Sequence, residues 1–163
     1  MTALNAAFNK PLNLPWIAPL RALLPWAQSL VLAYIRFELV HAFFISGMGK
    51  LRDWETTIFL FTEEFHVPLL SPQLAAISGT AGELGLSVLL ALGLFGRFAA
   101  CGLFVVNIMA VISYPGLTEG GLAQHFYWGT MIATLIAFGP GKLALDAWLA
   151  RWPLFRSLAL DAR

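Results

Sequence analysis

The stretch FAACGLFVVNIMAVISYPGLT, residues 98–118, decides the fold because it contains no Asp, Glu, Lys or Arg. About 20 consecutive apolar residues are needed for a helix to cross the hydrocarbon core of a bilayer. A buried helix of a soluble domain is usually shorter and carries a polar face. The stretch therefore predicts a membrane-spanning helix over residues 98–116.

Composition supports lipid as the main solvent of the chain. Of the 163 residues, 59% are hydrophobic and 12% are charged, whereas a soluble domain has about 25% charged residues. The net charge of +1 gives no basic excess that would draw the chain to nucleic acid, so nucleic acid is excluded as a partner. Cys101 is the single cysteine, which excludes an intramolecular disulfide or a CxxC redox pair.

Three further apolar segments, residues 25–49, 74–95 and 122–139, predict three more spans. The first contains Arg36 and His41, but apolar residues surround these groups on all sides, which disfavours a soluble amphipathic helix. We therefore predict an all-α fold: a four-transmembrane-helix bundle with short interfacial amphipathic helices at residues 53–65 and 142–152. The chain, residues 1–163, is predicted to form a single integral-membrane domain.

Orientation follows from the positions of the cations. One side of the predicted bundle carries Lys10, Arg21, Arg97, Lys142, Arg151 and Arg156, whereas Lys50 and Arg52 lie on the other side. Because Lys and Arg accumulate in cytoplasmic loops, this pattern predicts that both termini are cytoplasmic.

Polar residues inside the spans are the candidates for a functional site: Arg36, Glu38, His41, Glu83 and Asn107. A charged side chain at the centre of a membrane helix costs about 2.5 to 3.5 kcal/mol on insertion scales, so Arg36 is expected to have a partner. Glu83 is the only formal charge in the other three spans and lies at a similar predicted depth. We predict an Arg36–Glu83 ion pair, which either fixes helix register or belongs to a functional site.

Helical spacing at 100° per residue separates these groups. It places Arg36, Phe43, Gly47 and Lys50 on one stripe of the first span and Glu38 and His41 on another. Small residues at four-residue spacing around Glu83 allow close helix contact, which predicts that the second span is central in the bundle. His66 and His125 are interpreted as interfacial residues. No metal site is predicted.

Four short segments together resemble the DoxX family of small four-span bacterial membrane proteins. They are SGMGKL at residues 46–51 after Arg36, ELG at 83–85, LGLFGRFAA at 92–100, and GPGKLALD at 139–146. The family-motif residues that the resemblance adds are Gly47, Lys50, Arg97, Gly139, Pro140, Gly141 and Asp146. The resemblance implies a bacterial inner-membrane location and a link to quinone chemistry.

Three functions are compatible with the sequence. The first is an accessory, non-catalytic subunit of a quinone-linked membrane oxidoreductase or redox-stress complex, with a quinone bound beside Arg36, Glu83 and His41. No haem or flavin site is evident, so electron transfer would need a protein partner. Catalytic residues are not assigned, and a homo-oligomer is left open.

The second function is a scaffold, assembly or export factor for a partner protein or a modified metal-binding peptide, with residues 53–65 as the docking surface. The third is a small transporter, which is disfavoured because the sequence has neither an inverted repeat nor a pair of broken helices.

Overall fold

The computed structural model describes residues 18–152, and this part of the chain folds into six helices with no strand. They are α1 Ala18–Arg52, α2 Trp54–Glu63, α3 Pro72–Leu92, α4 Gly96–Ser113, α5 Glu119–Phe138 and α6 Leu145–Leu149. The predicted all-α class is confirmed for these residues. Lys10 and Arg156, which entered the orientation prediction, lie outside the described residues.

Within residues 18–152, three helices are long and apolar enough to cross a membrane. They are the 34-residue stretch Pro19–Arg52 of α1, the 21-residue α3 and the 18-residue α4. Helix α5 is not among them, because polar side chains in its first half, including Gln124 and His125, lower its mean hydropathy. The structure therefore supports a multi-pass membrane protein, and the predicted fourth span is not confirmed.

Local sequence signals explain where the helices begin and end. Side chains of Asp53, Ser71 and Thr118 accept hydrogen bonds from the first-turn amides of α2, α3 and α5, which satisfies donors that the helix leaves unpaired. The hydrogen bond from Thr56 lowers the pKa of Asp53. Helix α3 ends where Gly93 adopts the left-handed conformation, with φ of 67°.

Helix α3 is central, as predicted, since it packs against α1, α2 and α4, while α5 packs mainly on α4. The core between them contains fully buried side chains of Leu39, Leu90, Leu103, Ile132 and Leu135. The chain passes back and forth along the bundle, so that each helix connection lies at one of its two ends. We call the end with Arg21, Arg97, Lys142 and Arg151 the basic end, and the end with α2 and the α4–α5 loop the acidic end.

Gly47 sets the contact between α1 and α3. A Cβ atom at Gly47 would lie 2.8 Å from Leu84 Cγ, closer than real Cβ contacts, and 3.2 Å from Glu83 Cβ, which is a tight contact. At Gly49, two residues further along the same helix, nothing lies within 4 Å of such an atom. The absence of a side chain at position 47 therefore allows α1 and α3 to approach closely.

We expect Gly47→Ala to destabilise the bundle by about 1 to 3 kcal/mol, as overpacking does in a filled core. Gly49→Ala is the matched control and should be neutral or stabilising by up to about 1 kcal/mol, because Ala favours the helix. Unfolding of both variants in detergent micelles measures the difference. Equal stability of the two variants would show that α1 and α3 do not meet at Gly47.

Candidate functional site

The predicted Arg36–Glu83 ion pair is wrong, because Glu83 pairs with Lys50. Lys50 Nζ lies 2.6 Å from both carboxylate oxygens of Glu83. The close approach of Gly47 to Glu83 shows that these two residues are level in the bundle. Arg36 lies eleven positions before Gly47, which is about 16 Å along the helix axis. Arg36 therefore cannot reach Glu83.

Arg36 is instead buried at the basic end. Its Nη2 donates a hydrogen bond to the backbone carbonyl of Leu143, with a distance of 2.8 Å. Asp146 is close enough to interact electrostatically with the guanidinium group. The Asp146 carboxylate also accepts hydrogen bonds from the backbone amides of Phe95, at 2.9 Å, and Gly96, at 2.8 Å. Asp146, and not Glu83, is therefore the acid whose charge acts on Arg36.

Most of the other family-motif residues also lie at the basic end and have structural contacts there. A Cβ at Gly96 would lie 2.6 Å from Pro140 Cβ, so Pro140 packs directly on the start of α4. Arg97 Nε donates to the carbonyl of Ile136, at 3.1 Å, in the last turn of α5, where a cation also complements the helix dipole. Gly139 ends α5, and Gly141, with φ of 83°, packs on Leu32 of α1. These contacts join α4 to the end of α5 and to the segment after it, and Gly141 joins that segment to α1.

The remaining members of the predicted polar cluster lie elsewhere. The His41 side chain is exposed on α1, where its ring stacks on Phe37 with centroids 6.3 Å apart. Glu38 is half-buried beside Tyr34 on the same helix. The structure thus divides the predicted cluster. Arg36 bonds to the carbonyl of Leu143, Glu83 pairs with Lys50, and Asn107 bonds to His125. Glu38 and His41 belong to neither of the last two pairs.

A cavity of about 520 Å³ lies in the half of the bundle near the acidic end. Its walls come from α1 to α5 and are mainly apolar, with Phe43, Val106, Met109 and Trp128 among them. On the α2 side, Phe61, Phe65 and Tyr114 form a chain of edge-to-face ring contacts with centroids 5.1 Å apart. A pocket of this size and character can hold a small, largely apolar molecule.

The Lys50–Glu83 pair provides polar groups in one wall of this cavity. The two side chains are 21% and 10% exposed, so the pair is shielded from solvent. Lys50 Nζ also donates to Ser46 Oγ at 2.9 Å, and Ser46 Oγ lies 3.4 Å from Glu83 Oε1. Because the two charges compensate each other, this wall favours neither an anion nor a cation. A neutral ligand with a few polar atoms suits it best.

Asn107 and His125 form a second polar pair between α4 and α5. Asn107 Nδ2 donates to the backbone carbonyl of His125 at 3.0 Å, and His125 Nδ1 lies 2.8 Å from Asn107 Oδ1. His125 lines the cavity and also a groove of about 320 Å³ between these two helices. The interpretation of His125 as an interfacial residue is therefore incomplete.

The spacing of these two residues from the α4–α5 connection is a sequence signal for the pair. Asn107 is six residues before the last residue of α4, and His125 is six residues after the first residue of α5. Residues at equal distances from a tight helix connection lie at the same depth. Within residues 18–152, no three His, Cys, Asp or Glu side chains form a group that could hold a metal ion.

Apolar helices long enough to cross a bilayer, joined around a shielded ion pair and an apolar cavity, define a multi-pass membrane protein. The family model for DoxX matches residues 31–115, a little over half of the chain, so the protein belongs to the DoxX family. This match contains Lys50, Glu83 and Asn107, whereas His125 and Asp146 lie beyond it. No curated protein and no solved structure matches the chain.

Proposed function

We propose that this DoxX protein is an accessory subunit of a quinone-linked membrane oxidoreductase or redox-stress complex and binds a quinone head in the 520 Å³ cavity. The observation that carries the proposal is an apolar cavity with a charge-compensated Lys50–Glu83 pair in its wall. A quinone is a neutral, flat, mainly apolar ring with carbonyl acceptors, which matches both properties. The site differs from the predicted one in that Lys50 and Ser46 replace Arg36 and His41.

Ser46 is the donor that is best placed for a quinone carbonyl. Its oxygen accepts a hydrogen bond from Lys50 at 2.9 Å, which fixes the hydroxyl group in the cavity wall. Its own hydrogen has only the long 3.4 Å contact with Glu83 Oε1, which is near the limit for a hydrogen bond. The hydroxyl can therefore turn to a ligand without breaking the Lys50–Glu83 contact.

The proposed membrane arrangement has α5 as the fourth span, in the bacterial inner membrane with both termini cytoplasmic. The described cations at the basic end support this orientation, since Lys and Arg accumulate on the cytoplasmic side. The cavity then lies in the opposite half of the bilayer, where a lipid-soluble quinone can reach it. Electron transfer is assigned to a partner protein.

The test is a titration of the purified protein, in mild detergent, with a short-chain quinone, followed by quenching of tryptophan fluorescence. Trp128 lines the cavity and should report occupancy. Ala110→Phe places a large ring in the cavity and should weaken binding about tenfold or more, equivalent to about 1.4 kcal/mol. Ala123→Phe, at an exposed site on α5 that lines neither cavity nor groove, is the matched control and should bind as wild type.

Quenching that does not saturate, or that is identical in Ala110→Phe and Ala123→Phe, would contradict the proposal, because it would reflect partition of quinone into the detergent. The scaffold function would be favoured instead if a soluble partner co-purified without bound quinone and if mutation of the exposed acidic residues of α2 abolished this co-purification. Glu55 and Glu63 are the residues to change in that case.

A further inference from the structure

The Asn107–His125 pair determines which ring nitrogen of His125 carries the hydrogen. The backbone carbonyl of His125 can only accept, so the Asn107 group 3.0 Å from it must be the amide nitrogen. The amide oxygen then faces His125 Nδ1 at 2.8 Å, and it too can only accept. His125 Nδ1 therefore donates, and in the neutral ring Nε2 has no hydrogen and is an acceptor.

The His125 ring is also held in place before any ligand binds. It lies edge-on to Trp128, with centroids 5.2 Å apart, and Trp128 in turn contacts Phe43 of α1. The side chain is half-buried in the cavity wall that α5 contributes. A ring fixed by two contacts loses little freedom on binding, which favours affinity.

The cavity thus has different polar groups on two elements. Helix α1 contributes the Ser46 hydroxyl beside Lys50, and α5 contributes the His125 ring, whose Nε2 is the nitrogen that Asn107 does not engage. An oxidised quinone has only carbonyl acceptors and cannot bond to an unprotonated nitrogen. A hydroquinone has two opposed hydroxyl groups, and each can donate one hydrogen bond and accept another.

We infer that the cavity binds the reduced, hydroquinone form in preference to the quinone, with one hydroxyl donated to His125 Nε2 and the other oxygen near Ser46. The inference rests on the proposed function, because it specifies the redox form of the same occupant. Asn107 is a positioning residue, since it acts by fixing the ring of His125. No electron transfer by this chain is required.

The experiment compares three ligands under anaerobic conditions in detergent: a short-chain ubiquinol, the corresponding ubiquinone, and the dimethyl ether of the same ubiquinol. The ether keeps the ring but has no hydroxyl hydrogen. We expect wild type to bind the quinol about tenfold more tightly than either other ligand, the effect of about one hydrogen bond. His125→Phe keeps a ring against Trp128 and should bind all three equally.

Asn107→Ala should reduce the preference for the quinol, because the His125 ring is then free to carry its hydrogen on either nitrogen. Equal affinity of wild type for the quinol and its ether would overturn the inference and leave the proposed function intact. A preference that persists in His125→Phe would also overturn it. Absence of saturable binding for all three ligands would instead reject the proposed function. The comparison of the three ligands uses wild-type protein, so it does not depend on whether a variant folds.

Discussion

Glu83→Gln is expected to lower the free energy of unfolding by about 3 kcal/mol, at the lower end of the effect of breaking a buried ion pair. The Lys50 ammonium would keep its place in the apolar cavity wall without a compensating charge. The loss of stability should lie at the lower end of this range because the Lys50 side chain is 21% exposed and can gain some solvation. Unfolding in mixed detergent micelles, followed by tryptophan fluorescence, measures this loss.

The matched double variant Lys50→Met with Glu83→Gln should recover most of the lost stability, since replacing a buried pair with neutral groups is often neutral or stabilising. Arg36→Gln with Glu83→Gln should show additive losses, because Arg36 lies too far from Glu83 to couple with it. Recovery through Arg36→Gln rather than Lys50→Met would contradict the observed register of α1 on α3.

The same double variant distinguishes the two roles that the sequence left open for a buried pair. A pair that only fixes helix register can be replaced without effect on ligand binding. A pair that belongs to the cavity wall cannot be replaced without weakening ligand binding, because the variant removes the Lys50 ammonium that fixes the Ser46 hydroxyl. A stable Lys50→Met, Glu83→Gln protein with unchanged quinone affinity would therefore assign the pair a structural role.

The existence of the long helices could be predicted because it depends on local composition. Apolar segments of about 20 residues, one without charge and one with Glu83 alone, identified α4 and α3 within two or three residues at each end. The differences at these ends have a local cause. Gly93 and Phe95 both have positive φ and form a sharp turn between α3 and α4, where the prediction placed helix up to residue 95.

The ion-pair partners could not be predicted, because they depend on the register between helices. Helix α1 has 35 residues and begins at Ala18, seven residues before the predicted span, so counting from its end gave the wrong depth for Arg36. The register is set by the contact of Gly47 with α3, which no count along one helix reveals. The pairing of Asn107 with His125 does not depend on such a register, because the short α4–α5 connection fixes the relative depth of these two residues.

Of the two predicted amphipathic helices, the one at the acidic end is present nearly in full, whereas the one at the basic end is mostly absent. The predicted segment 53–65 contains α2, Trp54–Glu63, whose start is capped by Asp53. Residues 142–152 contain only the five-residue α6, since the chain before it bonds to other elements: Lys142 N to Ser29 Oγ, at 3.2 Å, and the carbonyl of Leu143 to Arg36. Tertiary contacts at the basic end override the helical pattern there.

Asp146 is the residue at the basic end whose replacement should lower the free energy of unfolding most. It is buried and accepts the backbone amides of Phe95 and Gly96, which begin α4 without a side-chain cap of their own. Phe95 adopts the left-handed conformation, with φ of 49°, a strained state for a residue with a side chain. The two hydrogen bonds to one carboxylate hold this turn in place.

We expect Asp146→Ala to destabilise the protein by about 3 kcal/mol, because hydrogen bonds to a charged group contribute about 1.5 to 3 kcal/mol each and the Gly96 amide would stay buried without an acceptor. Arg36 would also lose the favourable charge of Asp146. Asp146→Asn keeps one oxygen acceptor and should lose about half as much, whereas Leu145→Ala, at an exposed neighbouring site, is the control and should change little.

Unfolding in mixed micelles measures the stability of these variants, and amide hydrogen exchange over residues 93–100 measures the turn itself. Faster exchange confined to that segment in Asp146→Ala would locate the loss at the start of α4. If Asp146→Ala unfolded like Leu145→Ala, the two amides would have other acceptors, and the motif at residues 139–146 would need a role other than holding α4 and Arg36 together.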